Sequence, residues 1–342
     1  MKRFFALILV IILASVALIG CGVQEEETKE ADLQEKEVSE TSEKNTSEKA
    51  DQADEQTEDT SSNDKFVLID FEGNELVLEK MPENIVPISY SLALILNELG
   101  VELAAMTSSR RELPDNLVDI TKVGNPMRPD IEQIVAVEAD LVIMSPRFLA
   151  MHTETFKEHD IAFIGIDNST YEDTKKLIRN FGKAFNAVEK AQEIIAKFEE
   201  REKIVMDRIS GKEAPRVMIM HGSAGTFTLA RDITFAGSLV KMLGGINVTE
   251  GLPLEDSLGA YVPFSQEQVV KINPDIILRV AHGRAEDTKK MFEDEFNTNP
   301  VWQEISAVQN GRVYDMDNAL FFANPGLRAI ESLELIAEIL YP

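Results

Sequence analysis

Residues Glu132 to Ile143 and residues Glu267 to Leu278, 135 positions apart, are two versions of one pattern. The Glu, the Gln, the second Val and the Asp are identical, and most other apolar positions stay apolar. Each copy keeps helical spacing through its Glu-Gln half and then enters a short apolar run bounded by Asp. This predicts a helix, a tight turn and a buried strand. Half of a βαβ unit is thus written twice, which points to an α/β chain with two related lobes. In the second copy the strand is followed at once by His282.

The remaining pattern supports that architecture. Lys65 to Leu78 alternates around Glu72-Gly73-Asn74 as a β-hairpin would. Ile85-Val86 opens the first lobe, Ser91 is the expected cap of a helix over Leu92 to Leu99, and Gly100 closes it. Leu103 to Met106, Leu141 to Met144 and Ala162 to Ile166 read as strands. Alternation of strand and helix implies a mostly parallel sheet. Asn186 with Glu189 has the form of a capping box and Gly211 of a stop, so Ala187 to Ser210 is predicted as one helix, about 36 Å long. The second lobe begins near Pro215, with strands over Val217 to Met220, Thr226 to Leu229 and Arg312 to Tyr314. Helices are expected over Phe235 to Leu243, Asp287 to Phe296 and Leu327 to Leu340. The fold class is therefore α/β, two Rossmann-like lobes with parallel-rich sheets (65–185 and 212–342) joined by one long α-helix (186–211).

The N-terminus addresses location. Lys2-Arg3 and the apolar run Phe4 to Ile19 have the form of a signal peptide over residues 1–20, too short for the roughly 20-residue span of a membrane helix. The run ends in Leu18-Ile19-Gly20-Cys21, which resembles a bacterial lipobox. Cys21 is the one cysteine of the chain, so no disulfide framework and no Cys-based zinc or covalent haem site can form. Lipidation of Cys21 would place the protein on the extracytoplasmic face of the cell membrane. Gly22 to Asp64 carries 16 acidic and 4 basic residues, no aromatic residue and no Pro. Such a segment is expected to be a disordered tether, averaging about 36 Å as a coil. The net charge of -26, with no basic stripe, argues against nucleic acid as a partner.

Lipobox, acidic tether, hairpin, repeated Glu-Gln-x-Val and long connecting helix together resemble the helical-backbone substrate-binding lipoproteins of ABC importers, which carry ferric siderophores, cobalamin or haem. Two segments, Val123 to Asp130 and Leu278 to Gly283, are similar to those giving the axial ligands in staphylococcal and streptococcal surface haem-uptake lipoproteins. The resemblance implies haem as the transported ligand, with Met127 and His282 on its iron, in a monomer that binds rather than catalyses. It also implies an ABC permease and its ATPase as partners, an upstream haem donor, and Glu132 and Glu267 as permease-docking acids. The pattern departs at Arg284, where many relatives carry Met, which puts the rim chemistry in question.

Residue chemistry agrees with a haem reading. Ligands of open α/β sheets bind beyond the carboxyl ends of strands, and Met/His is an established haem pair. Ser89, Tyr90, Arg147, Arg231 and Tyr261 are candidate partners for haem propionates by the same strand-end argument. His221, at the end of another strand, is the rival ligand of the second lobe, whereas His152 and His159 lie in a polar helical stretch and are expected to be solvated. The four His offer no convergent cluster for manganese or zinc. A siderophore or cobalamin carrier is the alternative within this fold. A surface hydrolase around His221-Gly222-Ser223-Ala224-Gly225 is the alternative of another class, although the chain has no Gly-x-Ser-x-Gly elbow.

Overall fold

The hairpin forms as its alternation predicts: β1 (Phe66–Ile69) pairs antiparallel with β2 (Glu75–Leu78). Asp70 accepts the amides of Glu72 and Asn74 at 2.8 Å, and Gly73 supplies the φ of +93° that the turn requires. The computed structural model describes residues 65–223, 226–252, 259–282, 285–321 and 323–342. The predicted signal peptide, Cys21 and the acidic tether lie outside them, as do Ala224, Gly225 and Arg284.

The first lobe runs β3 (Ile85–Pro87), α1 (Tyr90–Glu98), β4 (Ala105–Met106), α2 (Asp115–Val118), β5 (Thr121–Lys122), β6 (Gly124–Asn125) and β7 (Arg128–Pro129). It continues with α3 (Ile131–Ala136), β8 (Leu141–Met144), α4 (Pro146–Leu149), α5 (Thr153–Glu158), β9 (Ala162–Gly165) and α6 (Tyr171–Ala184). β3, β8 and β9 make a parallel sheet, β4 and β5 a second parallel pair, and β6 and β7 a small antiparallel hairpin. The cap of α1 is Ser89, not the expected Ser91: Ser89 has the extended backbone of an N-cap (φ -156°), while Ser91 is buried inside the first turn.

One long helix, α7 (Val188–Ile209), leads to the second lobe. Its 22 residues give about 33 Å, close to the expected length. The expected capping box does not form. Asn186 takes a left-handed φ of +55° in the turn that ends α6, where the Ala187 amide bonds the Gly182 carbonyl at 2.7 Å, so its side chain does not cap α7. The turn is tight because the helices touch at Gly182, where a Cβ would stand 2.4 Å from that of Ala191.

The second lobe comprises β10 (Arg216–Ser223), β11 (Thr226–Ala230), α8 (Phe235–Met242), β12 (Ile246–Asn247), β13 (Tyr261–Pro263), α9 (Gln266–Ile272) and β14 (Ile276–Ala281). It ends with α10 (Ala285–Thr298), α11 (Ser306–Gln309), β15 (Val313–Met316), α12 (Asn318–Phe321) and α13 (Ala329–Leu340). The strand order is β13-β11-β10-β14-β15, with β12 beside the start of β10. β10, β14 and β15 are parallel, and β11 and β13 add an antiparallel edge.

The repeat is now explicit. α3-β8 and α9-β14 each turn through one left-handed residue, Glu138 (φ +50°) and Asn273 (φ +45°), which occupy equivalent positions. The identical Asp has the same task in both copies. The Asp140 carboxylate accepts the amides of Glu83 and Asn84 at 3.0 Å, and that of Asp275 accepts the amide of Arg216 at 2.7 Å. Each Asp thereby pins the start of the neighbouring parallel strand, β3 or β10.

Period-two alternation explains why the strands read as unbroken apolar runs. Leu141 and Ile143, like Val217, Ile219, Ile276 and Leu278, face one core that also contains residues of α6, α7, α8 and α13. Val142 and Met144 point to the opposite core over Ile134 and Phe156, while Met218, Met220 and Ile277 point to one built on Phe292 and Trp302. Both sheets therefore turn one face to a shared helical layer. Within that layer Lys175 is buried, with its Nζ 2.8 Å from carboxylates of both Glu172 and Glu202. The next residue back, Arg201, forms a two-pronged bond to Glu334 of α13 at 2.8 and 2.7 Å. Among the described residues no helix is long and apolar enough to cross a membrane.

Candidate functional site

The second-lobe half of the site is built at the carboxyl ends of β10 and β14. Val280 and Ala281 pair in register with His221 and Gly222, and the ladder continues as the His282 amide donates to the Gly222 carbonyl at 2.9 Å. The Thr288 hydroxyl donates to the His282 carbonyl at 2.9 Å, and the Asn318 amide group donates to the Ala281 carbonyl at 2.6 Å. The backbone that presents His282 is thus held from α10 and from α12. Sequence reasoning missed both braces, because nothing at positions 288 or 318 announces a partner more than a few residues away.

Three rings form a row here. His221 lies 5.9 Å from His282, with the two imidazoles within 24° of parallel, and 4.9 Å from the Tyr261 ring. Burial, reinforced by the charge of His282, pushes the His221 imidazole down to about 4, and burial also lowers His282. Lowering favours the neutral form of an imidazole, the form that keeps a lone pair. Burial raises the Tyr261 phenol, and the nearby positive charge of Arg147 works against that rise. Arg147 belongs to the first lobe, so the two lobes meet electrostatically at this row. Arg231 is already engaged: its guanidinium donates to the Gly259 carbonyl at 2.9 Å and its amide to that of Ala260 at 3.0 Å, fastening the approach to β13.

The first-lobe half contains Met127, 62% exposed at the turn between β6 and β7. The turn has little freedom. Asn125 accepts the amides of Met127 and Arg128 at 3.0 and 3.2 Å. Gly124, at φ +77°, lies so near the Arg128 carbonyl that a Cβ would stand 2.5 Å from it. Arg147 is exposed on α4, its guanidinium 5.8 Å from the Phe148 ring. The Tyr90 hydroxyl is already donated to the Glu112 carbonyl at 2.7 Å under the Arg111 guanidinium, and the Ser89 hydroxyl lies 3.3 Å from that of Ser91. His159 is exposed as expected, but His152 is not simply solvated: its Nε2 bonds the Pro126 carbonyl at 3.1 Å and its ring packs toward buried Phe156.

Glu132 and Glu267 are exposed in the first turns of α3 and α9, one in each lobe. Their helices are capped by Asp130, accepting from the Gln133 amide at 3.1 Å, and by Ser265, accepting from that of Gln268 at 3.5 Å. A groove of about 1230 Å³ lies elsewhere, between the start of β3 and the α6-α7 turn, and none of the candidate residues lines it. It sits at the amino end of β3, where open α/β sheets do not place ligands. Among the described residues no group of three or more His, Cys, Asp or Glu side chains could hold a bare metal ion.

Residues 85–320 match the profile of the Periplasmic binding protein family. The chain belongs to that family. Comparison with a periplasmic binding protein of the same kind, an ABC transporter substrate-binding protein from Listeria monocytogenes, gives 32% identity and a TM-score of 0.69 over 77% of this chain and 99% of the other. The high-affinity heme uptake system protein IsdE of Staphylococcus aureus is 29% identical over 258 residues, covering 75% of this chain and 87% of its own. The crystal structure of IsdE complexed with heme aligns with a TM-score of 0.67 over 76% of this chain and 99% of that one, at 28% identity. The catecholate-siderophore binding protein VctP of Vibrio cholerae shares the fold, with a TM-score of 0.64 at 20% identity over 80% of this chain and 99% of its own. As a periplasmic binding protein this chain is a substrate-binding component of an ABC importer, and its relatives bind and transport rather than catalyse.

Proposed function

We propose that this substrate-binding protein carries haem, clamped between its lobes with Met127 and His282 as axial ligands, and delivers it to a membrane permease and its ATPase. The observation that carries the reading is the placement of His282 at the carboxyl end of a parallel strand, with its backbone braced by Gly222, Thr288 and Asn318 and burial lowering its imidazole below the ordinary value. Identity to IsdE over three quarters of the chain supports the same cargo. Thioether and imidazole suit an iron whose other four positions the porphyrin fills, and no covalent link would hinder release. In this reading Arg147 and Tyr261 meet the propionates, Arg231 mainly supports Tyr261, and Ser89 and Tyr90 line the α1 end. Glu132 and Glu267 dock on basic sites of the permease, and lipidated Cys21 holds the protein at the outer face of the membrane, where a surface donor hands it haem.

Haemin titration of the purified protein tests this. A bound Soret band is expected, together with its loss or marked shift on Met127→Ala and on His282→Ala. An unchanged spectrum from both variants overturns the ligand assignment. Tighter binding of a ferric siderophore than of haemin in a thermal-shift panel overturns the cargo.

A further inference from the structure

The Met127 turn is fixed from its own side by Gly124 and Asn125, but the Pro126 carbonyl in that turn is met by a residue 26 positions away in sequence. His152 precedes α5, directly after α4, and its Nε2 lies 3.1 Å from the Pro126 carbonyl. Because a carbonyl only accepts, that nitrogen must carry the proton. The ring is half-buried, tilted at 6.3 Å against Phe156, which is fully buried in the core behind the first sheet. The acceptor it meets belongs to the residue immediately before Met127. The donor stands five residues after Arg147, the first-lobe cation whose charge is felt at Tyr261. A single hydrogen bond therefore joins the turn that offers the thioether to the α4-α5 segment, whose first helix carries the guanidinium.

We infer that His152 is a positioning residue: it locks the Met127 turn to the α4-α5 segment, so that Met127 and Arg147 face the cargo as one preorganised rim. This rests on the haem reading for the chemistry at Met127, but not for the lock itself. A donor here does what a supporting shell does for a metal ligand, holding the ligand's orientation and reducing the ordering cost at binding.

The test compares the parent protein with His152→Ala and with His152→Gln, whose side-chain amide can still donate to the Pro126 carbonyl. Without ligand, hydrogen exchange of peptides spanning residues 124–130 reads the lock directly. Faster exchange is expected in H152A, with the parent rate kept in H152Q. With haemin, H152A is expected to bind about three- to tenfold more weakly, the value of one hydrogen bond, and to lose intensity in the far-red thioether-to-iron charge-transfer band, while H152Q restores both. Arg147→Ala should lower haemin affinity without altering that band. Unchanged exchange in H152A overturns the lock. Faster exchange with unchanged haemin affinity and thioether signal overturns the positioning role. If the parent binds no haemin, the cargo assignment fails by itself and the exchange comparison alone decides whether His152 holds the turn.

Discussion

Gly222→Ala puts the site's architecture under the most direct strain. Gly222 lies on β10 opposite Ala281, and its carbonyl accepts the His282 amide. An added Cβ would stand 2.8 Å from both Phe292 Cζ and Thr288 Cγ2, and 3.0 Å from Phe292 Cε2, closer than side chains pack. The Phe292 ring cannot yield easily: it is fully buried and stacked on Phe227 at 5.0 Å. Overpacking of a rigid core costs about 1–3 kcal/mol. For a folded part of this size each kcal/mol lowers Tm by about 2–4 °C, so a loss of roughly 4–8 °C is expected at the middle of that range. Thr288 is the more mobile neighbour, and moving it breaks its bond to the His282 carbonyl, which should weaken haemin binding as well. Adding Thr288→Ser to the same background removes the obstructing methyl and keeps the hydroxyl, so it should recover most of the binding loss and the Thr288 share of the stability loss, the Phe292 clash remaining, a coupling that distant sites do not show. Differential scanning calorimetry and haemin titration on the four proteins of this cycle read the outcome. A Gly222→Ala variant that melts within about 1 °C of the parent, or a Thr288→Ser addition that only subtracts further, refutes the account of how His282 is held.

Two other perturbations follow from buried charges. Removing Lys175 as Lys175→Ala leaves the largely enclosed Glu202 without its cation, with the Tyr171 hydroxyl at 3.4 Å still donating to it. The expected loss is roughly 2–3 kcal/mol in urea unfolding, less than for a fully enclosed pair because Glu172 is exposed, and Lys175→Ala with Glu202→Leu should be less destabilised than the single variant. His221 gives a pH signature: its folded value of about 4 lies below the ordinary 6.5, so the unfolded chain takes up the proton first as pH falls. Its contribution is constant above pH 6.5, erodes between about 6.5 and about 4, and is flat below. Allowing for residual solvent at the ring, the ligand-free parent should lose about 2 kcal/mol more than His221→Gln across that window, and parallel stability curves would contradict the assignment.

Much of this could be read from the chain before any coordinates. The repeat gave both helix-turn-strand units, including the position of His282, because periodicity and a bounding Asp are local signals. It also marked Asp140 and Asp275 without explaining them. Their identity comes from pinning a neighbouring strand, a task that becomes visible only when parallel strands are side by side. Long-range pairing explains the other differences. His221 reaches His282 because β10 and β14 align in register, and the charge of Arg147 is felt at Tyr261 although the two are 114 positions apart. His152 read as a solvated helical residue because its acceptor, Pro126, is distant in sequence. Asn186 was misleading for a local reason: one side chain can serve either as the stop of α6 or as the cap of α7, and the close approach at Gly182 selects the stop.

The adjacent residues Arg201 and Glu202 have a consequence for delivery. From one turn of the long helix, Arg201 grips α13 on one side and Glu202 grips α6 on the other, so the two halves are bolted to the same strut at the same height. Such a frame works against hinging about the long helix at that height. Under the proposed docking through Glu132 and Glu267, a permease that engages both lobes at once would then meet two acids whose spacing this strut sets.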